Sequence, residues 1–313
     1  MERFFEPLVP KFLEKLMNRA ILKFFLQTLL RVGVLKESEI KSTYKIHPRT
    51  LQVEEEAQKR GLKVSVITHY GRPTNLFVLR GQGKPYYFEG LPGYQPDFTT
   101  DIDHKEKARK KLMKIGVPTP QGGVFISERK ALRFAEVQGY PLVVKPNHSS
   151  LSRHVSVNIR NIVELKEAIR IVKQISFSFI VEEFLEGSYF RATAIGDHVH
   201  AVCRRDPPSK PLENAPAWKF SLDLGGTVHD VTRTTHPDNL VLFEKIAREV
   251  NHPALGIDFI APSISESWKN QKCGVIELNS LPAIDLHTAP IVQGESRNLA
   301  GALLDHVLKM VKL

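Results

Sequence analysis

The chain has 313 residues, of which 42% are hydrophobic and 25% charged, a composition typical of a folded protein with a large core. This composition and the lack of a repeated segment exclude a low-complexity chain and a solenoid of short repeats. The formal net charge of +10 favours anionic partners such as nucleotides, acidic peptides, nucleic acid or anionic lipid, but it does not choose among them.

The first predicted element is an amphipathic helix over residues 11–32, within a helical N-terminal extension that spans residues 1–45. Its broad apolar face needs a partner, which we expect to be the body of the protein, a second subunit of a homo-oligomer or a membrane surface, in that order. The many charged side chains of this stretch exclude a transmembrane segment, and no signal peptide is evident.

A small α/β segment is predicted over residues 46–100, with a helix over 50–60, a strand over 62–68 and a hairpin of strands 77–80 and 85–88. Helices and strands continue to the end of the chain. They are a helix over 103–115, a strand over 123–126, a helix over 128–138, strands over 142–145 and 155–159, a helix over 163–172, a strand over 179–184, a β-rich segment over 190–235, a helix over 238–250, strands over 255–261 and 274–278, and a helix over 297–311.

Carboxylates interrupt two apolar strands near the end of the chain. Glu277 and Asn279 share one face of their strand because side chains alternate, and Asp258 lies within the other apolar strand. Magnesium held by these hard oxygen ligands and by substrate phosphates would offset the cost of burying both charges. Carboxylates that pair with arginine, or that end a strand in water, are an equally good explanation of the same pattern.

A lysine and a serine-rich loop follow another buried strand. Lys145 ends the strand where a cation could neutralise phosphate, and Ser149 and Ser150 in the next loop could cradle phosphate oxygens. For a lone lysine, a strand-edge side chain that reaches water is the simpler explanation. Glu182 and Glu183 end a further strand, where paired acids are usually solvated but where the backbone could contact an adenine edge.

Neither nucleic-acid binding nor a metal site built on cysteines is expected. No basic run is interleaved with aromatic residues, so the charge alone does not indicate nucleic-acid binding. Cys203 and Cys273 lie far apart and outside any metal-ligand spacing, which is typical of reduced core cysteines in a cytoplasmic protein.

Taken in order, these motifs resemble the ATP-grasp region of the cyanophycin synthetase family of carboxylate–amine ligases, with kinship to glutathione synthetases and D-alanine–D-alanine ligases. The resemblance covers about two-thirds of the chain. Its motifs are residues 111–120 (KLMKIGVPTP), 143–146 (VVKP), 181–191 (VEEFLEGSYFR), 224–227 (LGGT), 256–262 (GIDFIAP) and 275–283 (VIELNSLPA).

The resemblance implies an α/β (α+β) ATP-grasp fold in which two subdomains, residues 101–190 and 191–313, clamp ATP. It also implies an ATP- and Mg²⁺-dependent ligase that forms an amide or peptide bond on an amino acid or short peptide through an acyl phosphate. The chain ends where the synthetases continue into a Mur-ligase-like domain, so a stand-alone ligase is expected. The competing hypothesis is a non-catalytic nucleotide-binding module that recruits a partner through its N-terminal helix.

The resemblance also implies a role for each matched residue. Arg205 would steady the phosphorylated intermediate, and Arg191 would face the phosphate and the substrate. The nucleotide would meet the Lys145 side chain at its phosphates, the Glu182 side chain at the adenine amino group and the backbones of Glu183 and Leu185 at the ring edge, while Asp258, Glu277 and Asn279 would hold Mg²⁺.

Three positions depart from the family pattern. Arg109 stands where the family has its first ATP-binding lysine, the serine-rich loop replaces a glycine-rich one, and Tyr189 replaces the acid that binds ribose. The resemblance still implies that Arg109 and Tyr189 contact the nucleotide, with a changed recognition of the ribose hydroxyls at Tyr189. The net charge and the resemblance together suggest an acidic acceptor. In that case the acceptor would lie beside Arg191, Arg204, Arg205 and the His287 segment.

Overall fold

The computed structural model describes residues 19–81, 83, 85–93, 102–147, 154–209, 220 and 222–311. The chain divides into two compact units, Met1–Gln95 with Leu304–Leu313, and Pro96–Leu303. The predicted N-terminal helix is described as α1 (Arg19–Arg31), and residues 11–18 lie outside the described residues. No helix in the described part of the chain is long and apolar enough to cross a membrane.

The first unit is built on a four-stranded antiparallel sheet with the order β1-β2-β3-β4. Its elements are β1 (Leu35–Ser38), α2 (Pro48–Lys59), β2 (Lys63–His69), β3 (Arg72–Arg80) and β4 (Tyr86–Glu89). The predicted helix, strand and hairpin are all present. The sequence did not predict β1, because only one of its four side chains is apolar and buried. β1 lies in the predicted N-terminal extension, but it pairs with β2 of the predicted small α/β segment. The expected domain boundaries at residues 45 and 190 stay predictions.

The described residues of the second unit form two sheets, of which the smaller is antiparallel with the strand order β5-β8-β6-β7. Its elements are β5 (Gly122–Phe125), α4 (Glu128–Gln138), β6 (Leu142–Pro146), β7 (Ser156–Ile159), α5 (Ile162–Lys173) and β8 (Phe179–Glu183). Helix α3 (Lys105–Lys114) precedes them in the chain, but its buried residues pack in the core of the larger sheet. Buried apolar residues of α4 and α5 pack against the smaller sheet. Helix α5 begins where the Asn161 side chain accepts hydrogen bonds from two backbone N–H groups of its first turn.

The larger sheet has six strands in the order β13-β12-β9-β10-β11-β14, antiparallel except for the β11–β14 pair. Its elements are β9 (Ser188–Ile195), β10 (His198–Asp206), β11 (Thr227–Asp230), α6 (Pro237–Val250), β12 (Ala254–Ala261), β13 (Gly274–Asn279) and β14 (Val292–Gln293), and α7 (Leu299–Val311) follows. The described residues of the predicted β-rich segment therefore form three strands of one sheet.

The two faces of this sheet differ in polarity because side chains alternate along each strand. One face is apolar and packs against α6, as where the rings of Phe243 and Phe259 meet edge to face at 5.3 Å. Burying each such side chain stabilises the fold by about 1.5–3 kcal/mol. The opposite face, here called the polar face, carries the charged residues that the sequence singled out.

A close backbone approach fixes the turn from β8 to β9. Gly187 has φ 140°, and a Cβ atom there would lie 2.3 Å from the backbone carbonyl carbon of Ala261. Only glycine combines this backbone conformation with the available space. The turn therefore sets where β9 starts beside β12.

Replacing Gly187 with alanine should destabilise the second unit by more than about 3 kcal/mol, because backbone strain and steric overlap add. Gly116→Ala is the matched control. Gly116 also has positive φ, 71°, but nothing within 4 Å of an added Cβ, so only strain of about 1 kcal/mol applies. Urea unfolding of both variants measures the difference; equal losses would contradict the steric argument.

Candidate active site

The polar face brings most of the predicted site residues together. Strand register places Asp258 opposite both Arg191 and Glu277, and Arg205 opposite Tyr189. Residues on this face are Tyr189, Arg191 and Thr193 of β9, Cys203 and Arg205 of β10, Gly256 and Asp258 of β12, and Glu277 and Asn279 of β13. The predicted metal ligands and both predicted catalytic arginines therefore share one surface.

A buried ion pair between Arg191 and Asp258 lies at the centre of the polar face. The guanidinium donates from Nε to Oδ1 and from Nη2 to Oδ2, the latter at 2.7 Å. Burial opposes ionisation of the Asp258 carboxyl, but the attraction of Arg191 outweighs it, so the pKa of Asp258 is lowered. Gly256 allows this arrangement, because a Cβ atom there would lie 3.0 Å from Nη1 of Arg191.

The other two predicted metal ligands adjoin this pair. Asn279 donates from Nδ2 to Oδ2 of Asp258 at 3.2 Å, which leaves its amide oxygen for another partner. Glu277 forms an ion pair with Lys105 at 2.8 Å, and its side chain remains 31% exposed. Two carboxylates and one amide thus stand within one patch, and cations compensate both carboxylates.

A narrow pocket beside Glu277 contains the predicted nucleotide-binding residues Arg109, Lys145 and Glu182. Lys145 lies with its Nζ 2.5 Å from Oε1 of Glu182 and 3.4 Å from the backbone oxygen of Ile276. The residues that line it are Lys105, Ala108, Arg109, Leu112, Pro120, Lys145, Ile180, Glu182, Val275, Ile276 and Glu277. The pocket combines cations with an apolar wall.

Sequence reasoning assigned no individual role to Lys105, yet this residue lines the pocket although most of the α3 lysines face solvent. Its side chain is only 7% exposed. Arg109 follows one helical turn later and also lines the pocket, with Nη1 3.4 Å from Sδ of Met113. The i, i+4 spacing of Lys105 and Arg109 was the available signal, because residues four apart share a helix face.

Several predicted residues lie elsewhere. The Glu183 carboxylate accepts from the backbone N–H of Gln121 and pairs with Lys272, and its own N–H donates to the backbone oxygen of Gln121. Leu185 is buried, and neither Glu183 nor Leu185 lines the pocket. Ser149 and Ser150 lie outside the described residues.

The neighbouring residues Arg204 and Arg205 of β10 lie on opposite faces of the sheet. Arg204 pairs with Asp206 at 3.0 Å and is 41% exposed, so it does not share the polar face with Arg205. Arg205 is buried and donates from Nη1 to the Tyr189 hydroxyl at 3.3 Å. Burial raises the pKa of Tyr189, and the nearby Asp258 carboxylate raises it further, so the phenol stays neutral.

His287 covers part of the polar face. Its Nε2 lies 2.9 Å from Oγ1 of Thr193, and the side chain is 1% exposed. Burial lowers the pKa of His287 to about 3, with Arg205 and Arg191 acting in the same direction. The ring is therefore a neutral hydrogen-bonding group at physiological pH and not a cation.

No protein-family model matches the chain, but individual proteins do. Cyanophycin synthetase of Trichormus variabilis is 26% identical over an alignment that covers 64% of this chain and 28% of that protein. The glutamate–LysW ligase ArgX of Sulfurisphaera tokodaii is 32% identical, over 55% of this chain and 58% of the relative. The chain therefore spans less than a third of the length of the cyanophycin synthetase that it matches.

Solved structures agree with the sequence relatives. The bifunctional glutathione synthetase from Pasteurella multocida superimposes with a TM-score of 0.62 at 17% identity, over 93% of this chain and 46% of that chain. This likeness establishes the fold, as predicted from the motifs. The chain has the ATP-grasp fold, and its homologues are ATP-grasp carboxylate–amine ligases.

Proposed function

We propose that this chain is an ATP- and Mg²⁺-dependent ligase that joins the carboxylate of an amino acid or short peptide to an amine through an acyl phosphate. The observation that carries the proposal is the shared polar face, on which Asp258, Glu277 and Asn279 lie beside two buried arginines. The sequence relatives support the same chemistry.

The pocket supports nucleotide binding. Lys105 and Lys145 are buried ammonium groups, and each already has a carboxylate partner. Phosphate can compete with those carboxylates for the ammonium groups, because each ammonium group presents three donors. Arg109 adds a third cation at the same opening. In this proposal Lys105, and not Arg109 alone, supplies positive charge from α3.

The donor set fits magnesium. Asp258 and Glu277 lie directly opposite each other on neighbouring strands, and Asn279 adds an amide oxygen. The described residues contain no group of three or more His, Cys, Asp or Glu side chains that could enclose a metal. Magnesium suits such an open set, because it is commonly held by one or two carboxylates together with water and substrate phosphates. Bound there, it would neutralise charge on the phosphates.

The reaction proceeds in two steps. A substrate carboxylate oxygen bonds to the γ-phosphorus of ATP, the bond from that phosphorus to the bridging oxygen breaks, and ADP leaves. An amine nitrogen then bonds to the acyl carbon, the bond from that carbon to the phosphate oxygen breaks, and the nitrogen loses a proton. Arg191 and Arg205 stabilise charge on the transferred group, and their burial strengthens that effect.

The non-catalytic alternative has one observation in its favour, since Asp258 and Glu277 have cationic partners within the chain. A binding module would bind nucleotide without releasing ADP. The two free, buried cysteines support a cytoplasmic location for either function.

Mg·ATP should raise the melting temperature of the protein by about 5 °C or more at a concentration near 100 times Kd, because only the folded state binds it. Thermal shift across a concentration series, with EDTA as the control, measures this. If no nucleotide shifts the melting temperature at millimolar concentration, the nucleotide site is wrong.

Glu277→Gln should lower substrate-dependent ADP release about 100-fold or more, because the variant loses a charged metal ligand. The fold should lose only about 1–2 kcal/mol, since the amide still accepts from Lys105. Glu167→Gln, in an exposed i, i+3 pair with Arg170, is the surface control.

Asp258→Asn is a less clean variant of the same site, because it leaves Arg191 buried beside a neutral group and should cost about 3–5 kcal/mol of stability. Near-normal ADP release by folded Glu277→Gln would therefore be the result that refutes the metal assignment.

The acceptor should be an acidic amino acid or acidic peptide, because the chain has a surplus of ten positive charges and its relatives include a glutamate ligase. With saturating ATP, glutamate should stimulate ADP release at least about 10-fold more than glutamine, since cationic surroundings favour a second carboxylate over a neutral amide. Equal stimulation by neutral acceptors would refute the acidic preference and leave the ligase proposal standing.

A further inference from the structure

Arg205 differs from the other buried cations of the polar face and pocket. Arg191, Lys105 and Lys145 each form an ion pair with a carboxylate. Within the described part of the chain, Arg205 has no carboxylate at ion-pair distance, although the residue is only 7% exposed. A buried charge without a counter-charge is costly unless other groups stabilise it.

Two aromatic rings provide that stabilisation. The guanidinium carbon of Arg205 lies 5.4 Å from the ring centroid of Tyr189 and 5.4 Å from that of Phe220. Both distances are within the range of cation–π attraction, which strengthens when the cation is desolvated. The Tyr189 hydroxyl also accepts a hydrogen bond from Nη1 at 3.3 Å. We call Tyr189 and Phe220 the aromatic clamp.

Strand pairing positions one member of the clamp, and apolar packing holds the other. Tyr189 lies directly opposite Arg205 in the β9–β10 register, so its ring reaches the guanidinium across the strands. Phe220 packs against the apolar cluster of Cys203, Val228, Leu286 and Val292. The clamp therefore restricts the guanidinium and leaves its charge in place, whereas a carboxylate partner would neutralise that charge.

The Nε–H donor of the Arg205 guanidinium is not used by the clamp. Nε of Arg205 is buried and has no hydrogen-bond partner among the described residues. A charged group that is held rigidly, is not neutralised and retains a free donor suits an anion that is present only during the reaction.

We propose that Tyr189 and Phe220 are positioning residues that hold the Arg205 guanidinium for the transferred phosphoryl group, and that Tyr189 does not contact the nucleotide. This inference rests on the proposed function. It replaces the sequence-based expectation that Tyr189 binds ATP, because the hydroxyl and ring of Tyr189 are both directed to Arg205.

The test separates turnover from nucleotide binding. Tyr189→Leu and Phe220→Leu should each lower kcat about 10- to 100-fold, while KM for ATP and Kd for Mg·ADP change less than about 2-fold. Tyr189→Phe keeps the ring and should lose less than Tyr189→Leu. Tyr70→Phe, at an 84% exposed tyrosine of the first unit, is the matched control.

A second measurement does not depend on activity. The ¹⁵Nε–¹Hε signal of Arg205, identified as the one missing from Arg205→Lys, should move in both leucine variants because the ring currents change. A moved signal without ADP release from any substrate would support the clamp and refute the proposed function.

Two results would overturn the clamp. One is an unmoved Arg205 signal in folded Tyr189→Leu and Phe220→Leu. The other is a 10-fold or larger rise in Kd for Mg·ADP in Tyr189→Leu with kcat unchanged, because that result would make Tyr189 a nucleotide contact.

Discussion

The buried ion pair between Arg191 and Asp258 is the interaction on which the candidate site depends. Two charges removed from water are tolerated in a protein interior only when their geometry is nearly ideal. The paired strands β9 and β12 provide that geometry, and Gly256 leaves room for the guanidinium. Asn279 and Glu277 then take their places next to Asp258 through strand register alone.

In the pocket and on most of the polar face, each buried cation is paired with a carboxylate. Lys105 and Lys145 are held by Glu277 and Glu182 in the same way that Arg191 is held by Asp258. These pairs keep the cations ordered before any ligand arrives. In the proposed function, a polyphosphate would compete with carboxylates already in place, and a divalent cation that attracts Glu277 would help to release Lys105. Arg205, held by aromatic rings, is the contrasting case.

Much of the fold could be predicted from the sequence, because the elements follow local patterns. Apolar runs bounded by turns predicted β12 and β13, and alternation along β13 correctly put Glu277 and Asn279 on one face. The four residues of β1 have too weak a pattern to predict a strand. Such a short segment becomes a strand because it pairs with β2, and a local sequence pattern carries no information about that contact.

The partners within the site could not be predicted, because they come from distant parts of the chain. Arg191 and Asp258 are 67 residues apart, and Lys105 and Glu277 are 172 residues apart. Aligned motifs suggested which residues belong to the site, but they did not indicate that Tyr189 is directed to Arg205. Neither local periodicity nor motif order contains that information.

The acyl phosphate is the central claim of this account, and isotope transfer tests it most directly. The protein would be incubated with Mg·ATP and a mixture of amino acids labelled with ¹⁸O in their carboxylates, and the released phosphate analysed by mass spectrometry. If the substrate carboxylate attacks ATP, each amide formed leaves one ¹⁸O atom in phosphate. Release of phosphate that carries no ¹⁸O would show that water attacks ATP, and it would contradict the ligase mechanism.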